Sequence, residues 1–78
     1  MSHTVVAELV SNVYQVVAEV GQRVGPSDTL VILESMKMEI PVLAEVTGVV
    51  REVAVRVGDV ISEGDVIAVI DNAAAGAG

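Results

Sequence analysis

The chain repeats one pattern of apolar and turn-forming residues with an offset of 37 positions. The repeat is a match of residue character at turns and apolar positions, and most other residues differ between the halves. Such a pattern predicts two copies of one supersecondary unit within a single small domain. The matched pairs are Val13/Val50, Val16/Val53, Val20/Val57, Gly21/Gly58, Val24/Ile61, Asp28/Asp65, Leu30/Ile67, Ile32/Val69, Leu33/Ile70 and Glu34/Asp71.

Each unit is predicted to consist of short β-strands. Val53, Val55 and Val57 alternate with Ala54 and Arg56, which is the period of a strand with one buried face. The apolar phase slips by one residue just before this run, and it slips equally in the first unit, so we expect a bulge or corner in both. Each unit then has a marked turn followed by a buried strand, at residues 25–28 and 30–33 in the first unit and at 62–65 and 66–70 in the second.

Composition favours β structure over helix. Valine dominates, Tyr14 is the only aromatic residue, and no segment keeps the 3.6-residue period of a helix. Two units of about four strands each predict an all-β flattened barrel or sandwich with pseudo-two-fold symmetry.

Domain limits follow from the same pattern. We expect residues 1–4 to be a flexible lead-in, with His3 a disordered surface residue, and residues 5–71 to form the domain. Its first strand is predicted over residues 5–10, with a bend at Ser11 and Asn12. Residues 72–78 are rich in Ala and Gly and are predicted to be a flexible tail.

The most unusual local feature is a hexapeptide at residues 34–39, between two short apolar runs at residues 29–33 and 40–44. Two strands joined by a tight turn are predicted there. If the loop has two residues, Met36 and Lys37 form its tip, Ser35 faces Met38, and Glu34 faces Glu39.

This turn departs from two local preferences. Two-residue hairpin loops favour residues that adopt positive φ easily, which Met36 and Lys37 do not. Glu34 and Glu39 would repel each other directly across the strands. Departures of this kind concentrate at functional sites, and Lys37 is the only lysine of the chain.

The segment Glu34-Ser35-Met36-Lys37-Met38 resembles the attachment site of the biotinyl, or biotin carboxyl carrier, family, whose signature is Glu-(Ala/Ser)-Met-Lys-Met. The resemblance extends over residues 6–71. It implies two four-stranded antiparallel sheets related by a pseudo-dyad, with the lysine on a tight hairpin turn. The internal repeat makes Asp71 the counterpart of Glu34, so the termini are expected to lie together at the end opposite Lys37. The segment between the two units is too short for the thumb hairpin inserted in some relatives, so we expect the stand-alone single-domain form with a mobile biotin.

The resemblance further implies that Lys37 carries covalent biotin, attached by a biotin protein ligase. Ser35, Met36 and Met38 would be flanking recognition residues together with Glu34 and Glu39, although the two glutamates equally suit plain surface charges. The methionines are expected to be exposed at the hairpin tip, and core positions are the alternative for them. The implied role is a non-catalytic carrier that moves a carboxyl group between the biotin carboxylase and carboxyltransferase sites of an acyl-CoA or pyruvate-type carboxylase.

Composition excludes several function classes. A net charge of −7 with four basic residues argues against nucleic acid and anionic membranes as partners. No apolar run has the length of a membrane span, no signal-peptide pattern opens the chain, and no cysteine is present for disulfides or metal ligation. We therefore predict a cytoplasmic protein with no metal site. Overall charge does not settle the oligomeric state, but a carrier that must shuttle between partners is expected to be monomeric when free.

Two alternatives remain open. A lipoyl-type carrier shares the fold and the hairpin lysine, but it usually lacks methionine on both sides of that lysine. A non-catalytic interaction module would use the same tip to bind a partner without any prosthetic group.

Overall fold

The computed structural model of the chain describes residues 1–72, which form eight β-strands and no helix. The prediction of an all-β protein is therefore confirmed. The strands are β1 (Ser2–Val6), β2 (Ser11–Val16), β3 (Arg23–Val24), β4 (Thr29–Ser35), β5 (Met38–Leu43), β6 (Gly48–Val53), β7 (Val60–Ile61) and β8 (Val66–Asp71).

The strands form two four-stranded antiparallel sheets, as predicted. One sheet has the order β1-β8-β6-β3 and the other has the order β5-β4-β2-β7. Aliphatic side chains from both sheets meet in one core, because the strands place alternate residues on the inner face. The most deeply buried large side chains are Val24, Leu30, Val31, Leu33, Val50, Ile67 and Ile70.

The two halves are related residue by residue, and the relation extends further than the sequence repeat indicated. The Ala7 amide donates to the Asp65 carbonyl at 2.9 Å, and at an offset of 37 the Ala44 amide donates to the Asp28 carbonyl at 2.9 Å. Strand β1 is thus the counterpart of β5, just as β2, β3 and β4 are the counterparts of β6, β7 and β8.

The predicted irregularities occur in both halves. The pairing of β2 with β4 shifts between Val13 and Gln15, and the pairing of β6 with β8 shifts at the equivalent place, between Val50 and Glu52. These bulges bend the strands so that each half covers the other.

The predicted turns are held by aspartate side chains. Asp28 Oδ2 accepts a hydrogen bond from the Gly25 amide at 2.7 Å, and Asp65 Oδ2 accepts one from the Ser62 amide at 2.8 Å. An aspartate that accepts from a backbone amide near it in sequence fixes a turn without help from the core. The two buried strands that follow therefore begin at defined points.

The start of the chain differs from the prediction. The first strand covers Ser2–Val6, not residues 5–10, and it pairs with β8 from Ser2↔Asp71 onward. Residues 2–4 are therefore part of the sheet and not a lead-in. His3 is ordered within β1, with Nε2 3.1 Å from Glu45 Oε1. The sequence did not indicate a strand at residues 2–4 because Ser-His-Thr has no alternation of apolar and polar residues. Backbone pairing at the edge of a sheet does not require such alternation.

The predicted bend at Ser11 and Asn12 is also wrong, because both residues belong to β2 and the bend lies in the preceding residues. Neither residue has positive φ. Ser11 is buried, and its Oγ donates to the Leu9 carbonyl at 3.1 Å. Its counterpart is Gly48, where a larger residue has no space, because a Cβ there would lie 2.5 Å from the Asp71 carbonyl oxygen.

The two ends of the domain lie together, as predicted. The Asn72 amide donates to the Met1 carbonyl at 2.8 Å. This contact occupies the place that the Ser35↔Met38 pair holds in the other half, so the termini and the hairpin tip lie at opposite ends of the molecule. The predicted tail, apart from Asn72, lies outside the described residues. None of residues 1–72 belongs to a helix with the length and hydropathy of a membrane span.

Candidate functional site: the lysine hairpin

The hairpin at residues 34–39 has the predicted register. Strands β4 and β5 pair through Glu34↔Glu39 and Ser35↔Met38, which leaves Met36 and Lys37 as a two-residue loop. Strand β4 lies between β5 and β2 in its sheet, and its residues Val31 and Leu33 are 1% and 2% exposed. The loop therefore projects from a strand that is fixed on both sides and anchored in the core.

Both loop residues have left-handed backbone conformations. The φ angles are 52° at Met36 and 66° at Lys37. Positive φ at both positions is the geometry of a type I′ turn, which matches the twist of the flanking strands but strains residues that carry a Cβ. The sequence-based expectation that this turn conflicts with its residues is confirmed in the backbone.

The side chains at the tip point to solvent. Met36 is 91% exposed, Met38 is 61% exposed, and Lys37 is exposed between them. Among residues 1–72 no ion pair engages the Lys37 amine. The alternative that the methionines fill the core is wrong. Glu34 and Glu39 are half-buried and exposed, respectively, and they flank the lysine at the base of the turn.

A hydrogen bond joins this hairpin to the loop between β1 and β2, at residues 7–10. Ser35 Oγ donates to the Val10 carbonyl at 3.3 Å. The contact bridges 25 positions of sequence and places the backbone of Val10, whose side chain is exposed, beside the base of the hairpin. Nothing in the sequence motif indicated that this loop would lie there.

The surroundings of Lys37 are an exposed hairpin tip. A groove of about 290 Å³ runs between β1 and β5, but its lining includes none of residues 34–39. Within residues 1–72 no group of three His, Cys, Asp or Glu side chains is arranged to hold a metal ion. The site is an accessible amine on a rigid support, and this arrangement suits acylation by another enzyme.

Comparison with known proteins identifies the family. The family described as "Biotin-requiring enzyme" matches residues 2–70. The chain belongs to this family. It is 59% identical over 70 residues to a "Biotinylated protein TB7.3 homolog" of Mycobacterium leprae, covering 90% of this chain and 99% of that protein. It is 39% identical over 69 residues to a "Biotin/lipoyl attachment protein" of Bacillus subtilis, covering 88% of this chain and 94% of that protein.

Solved structures give the same assignment. The fold matches the urea carboxylase of Kluyveromyces lactis with a TM-score of 0.86 and 32% sequence identity, over 91% of this chain and 6% of that much longer chain. The protein is thus a biotin carrier domain homologous to the biotinyl domains of carboxylases. Biotin is the cofactor that the family and these relatives indicate.

Proposed function

We propose that Lys37 is the attachment residue of this biotin carrier and holds biotin in amide linkage. The observation that carries this proposal is the position of the only lysine in the chain, exposed at the apex of a strained two-residue turn within Glu-Ser-Met-Lys-Met. An accessible primary amine, with no ion pair among the described residues, is what acylation requires.

Loading is assigned to a biotin protein ligase. The Lys37 amine attacks the carboxyl carbon of biotin presented as an adenylate, the amide bond forms, and AMP departs with the bonding electron pair. Among residues 1–72 no hydrogen bond or ion pair engages the Lys37 amine, so we assign the removal of its proton to the ligase. Met36 and Met38 supply flexible apolar contacts to the ligase, and Ser35, Glu34 and Glu39 fix the shape and charge of the tip.

The protein contributes positioning and not bond-making. Biotin, once attached, supplies a ureido nitrogen that accepts and releases a carboxyl group. The buried strand β4 keeps the tether point fixed while the long side chain of Lys37 lets its end move. Tethering of this kind raises the local concentration of the carried group at each partner site. We accordingly assign the chain a non-catalytic role, shuttling carboxyl groups between biotin carboxylase and carboxyltransferase partners.

Similarity to a carboxylase supports carboxylases as the partners, since the fold matches urea carboxylase with a TM-score of 0.86. The exposed side chains of Met36 and Met38 at the tip are available to such partners. A free monomer and a cytoplasmic location are part of the same proposal.

The lipoyl alternative is tested by loading the same protein in two ways. One sample receives biotin protein ligase, ATP and biotin, and the other receives lipoate ligase, ATP and lipoate. Intact mass should show one added biotin in the first sample and no addition in the second. Lipoate addition without biotin addition would replace the proposal with a lipoyl carrier, and no addition to a folded protein in either sample would favour the interaction module.

A further inference from the structure

We propose that the loop between β1 and β2, residues 7–10, is a second part of the surface that the biotin ligase recognises, with Val10 as a specificity-determining contact. This inference rests on the proposed function, since it names a further contact of the partner that acylates Lys37. It assigns a role to residues that are remote from the motif in sequence.

The first support is position. Ser35 lies two residues before Lys37, and its Oγ donates to the Val10 carbonyl at 3.3 Å. Any enzyme that surrounds the lysine closely enough to acylate it must also cover the base of the hairpin. Val10 is attached to that base, so it lies at the edge of the same footprint.

The second support is exposed apolar area. Val10 is 63% exposed and the adjacent Leu9 is 38% exposed, beside Met36 at 91% and Met38 at 61%. Met36 and Met38 flank Lys37 directly, and the loop of Leu9 and Val10 reaches the base of the hairpin through the hydrogen bond to Ser35. A patch of exposed apolar side chains at one end of a small acidic domain is a usual sign of a protein contact site.

The third support comes from the internal symmetry of the fold. At an offset of 37, Val10 corresponds to Thr47 and Leu9 corresponds to Val46. Thr47 is polar and exposed, and Val46 is half-buried against the core. The loop at the end without a lysine thus carries a polar residue where the loop at the lysine end carries an exposed valine. The two loops also differ in backbone, since Glu45 has a φ of 71° and its counterpart Glu8 does not have positive φ. The exposed valine is therefore particular to the lysine end.

The occupant of this patch is the ligase, and a second copy of the chain is disfavoured. Each chain carries a net charge of −7, and Glu34 and Glu39 lie within the patch, so two such surfaces would repel each other. A ligase, in contrast, must approach this end of the molecule to reach the amine.

The test replaces Val10 by the residue of its symmetry counterpart. Val10→Thr keeps the branched shape and exchanges one methyl group for a hydroxyl, and Val20→Thr is the matched control. Val20 is 65% exposed, and the adjacent Gly21 amide bonds the Val50 carbonyl at 2.7 Å, toward the end that holds the termini. Steady-state biotinylation kinetics with the same ligase are measured for both variants and for the unmodified sequence.

Val10→Thr is expected to raise KM about fivefold with kcat unchanged, because a hydroxyl buried without a partner weakens binding of the ground state and transition state equally. Val20→Thr should leave both constants unchanged. Equal effects of the two variants, or no effect of Val10→Thr, would overturn the inference. If the unmodified sequence is not biotinylated at all, the proposed function fails instead.

Hydrogen exchange supplies a readout that does not depend on turnover or on the Val10 variant. The Lys37→Arg protein cannot be loaded, so it can be mixed with ligase and followed at equilibrium. Backbone amides of residues 8–10 should exchange more slowly in the complex, while those of residues 45–47 in the symmetric loop should not change. Protection of the hairpin without protection of residues 8–10 would contradict the proposed contact.

Discussion

The strain in the lysine turn predicts that a non-functional version of the hairpin would be more stable. Replacing Met36 by Asn and Lys37 by Gly installs the pair that suits a type I′ turn best. The φ angles of 52° and 66° are already those that Asn and Gly accept, so the backbone need not move. The substituted side chains are exposed, so no core packing is lost.

The expected gain follows from the cost of each conformation. A residue with a Cβ pays about 1–2 kcal/mol to adopt the left-handed conformation. Glycine at position 37 relieves that strain but loses about 0.5–1 kcal/mol of the relief, because glycine has greater conformational freedom in the unfolded chain. Asparagine relieves only part of the strain at position 36. The free energy of unfolding should therefore rise by about 1–2 kcal/mol, with a melting temperature about 5–10 °C higher for a domain of this size.

Urea and thermal unfolding of the unmodified and substituted proteins measure this directly. Met36→Ala is the matched control, because it removes the exposed side chain but keeps a residue that resists positive φ. It should give no gain. If the Asn-Gly protein is no more stable than the Ala control, the turn is not strained and the argument that function maintains it loses its physical basis.

Two further predictions concern positions where the backbone sets the limit. Gly48→Ala should destabilise the domain by about 2 kcal/mol or more, because the added Cβ would overlap the Asp71 carbonyl in a well-packed region. Ser11→Ala, at the symmetric position, should destabilise it by less than half as much. Equal losses of stability in urea unfolding of the two variants would refute the steric explanation. Glu45→Gly should stabilise the fold by about 0.5–1 kcal/mol, since Glu45 has a φ of 71°. His3→Ala is the control, because it removes only the contact of 3.1 Å between His3 Nε2 and Glu45 Oε1, and it should change the free energy of unfolding by less than about 0.5 kcal/mol. If Glu45→Gly lowers stability by more than His3→Ala does, the φ of Glu45 carries no strain.

Much of this architecture could be predicted because its signals are local. The alternation of valines, the phase slips and the Asp-containing turns each reflect the period or geometry of the strand or turn that contains them. The two apolar runs indicated a hairpin, and its register followed once a two-residue loop was assumed. The internal repeat then joined these local signals into one fold, since two equal units must share a core.

The features that escaped prediction depend on contacts between distant segments. Residues 2–4 of strand β1 are paired with β8 through the backbone, and Ser-His-Thr carries no apolar pattern that would indicate a strand. Gly48 is required by the carbonyl of a residue 23 positions later, as the close approach to Asp71 shows. Leu9 and Val10 looked like strand residues because they are apolar, yet they are exposed beside the hairpin. Apolar character alone does not establish burial, because much of the surface of a folded protein is apolar.

The central claim is that one amine, at one place in the fold, accepts the cofactor. The measurement that tests it most directly is intact mass after incubation with biotin protein ligase, ATP and biotin, for the unmodified protein and for Lys37→Arg/Arg51→Lys. The double variant keeps the same net charge and one lysine, but places that lysine on the exposed face of β6. The account predicts one added biotin in the unmodified protein and none in the double variant. Biotin on the double variant would show that exposure alone suffices and would contradict the role assigned to the hairpin.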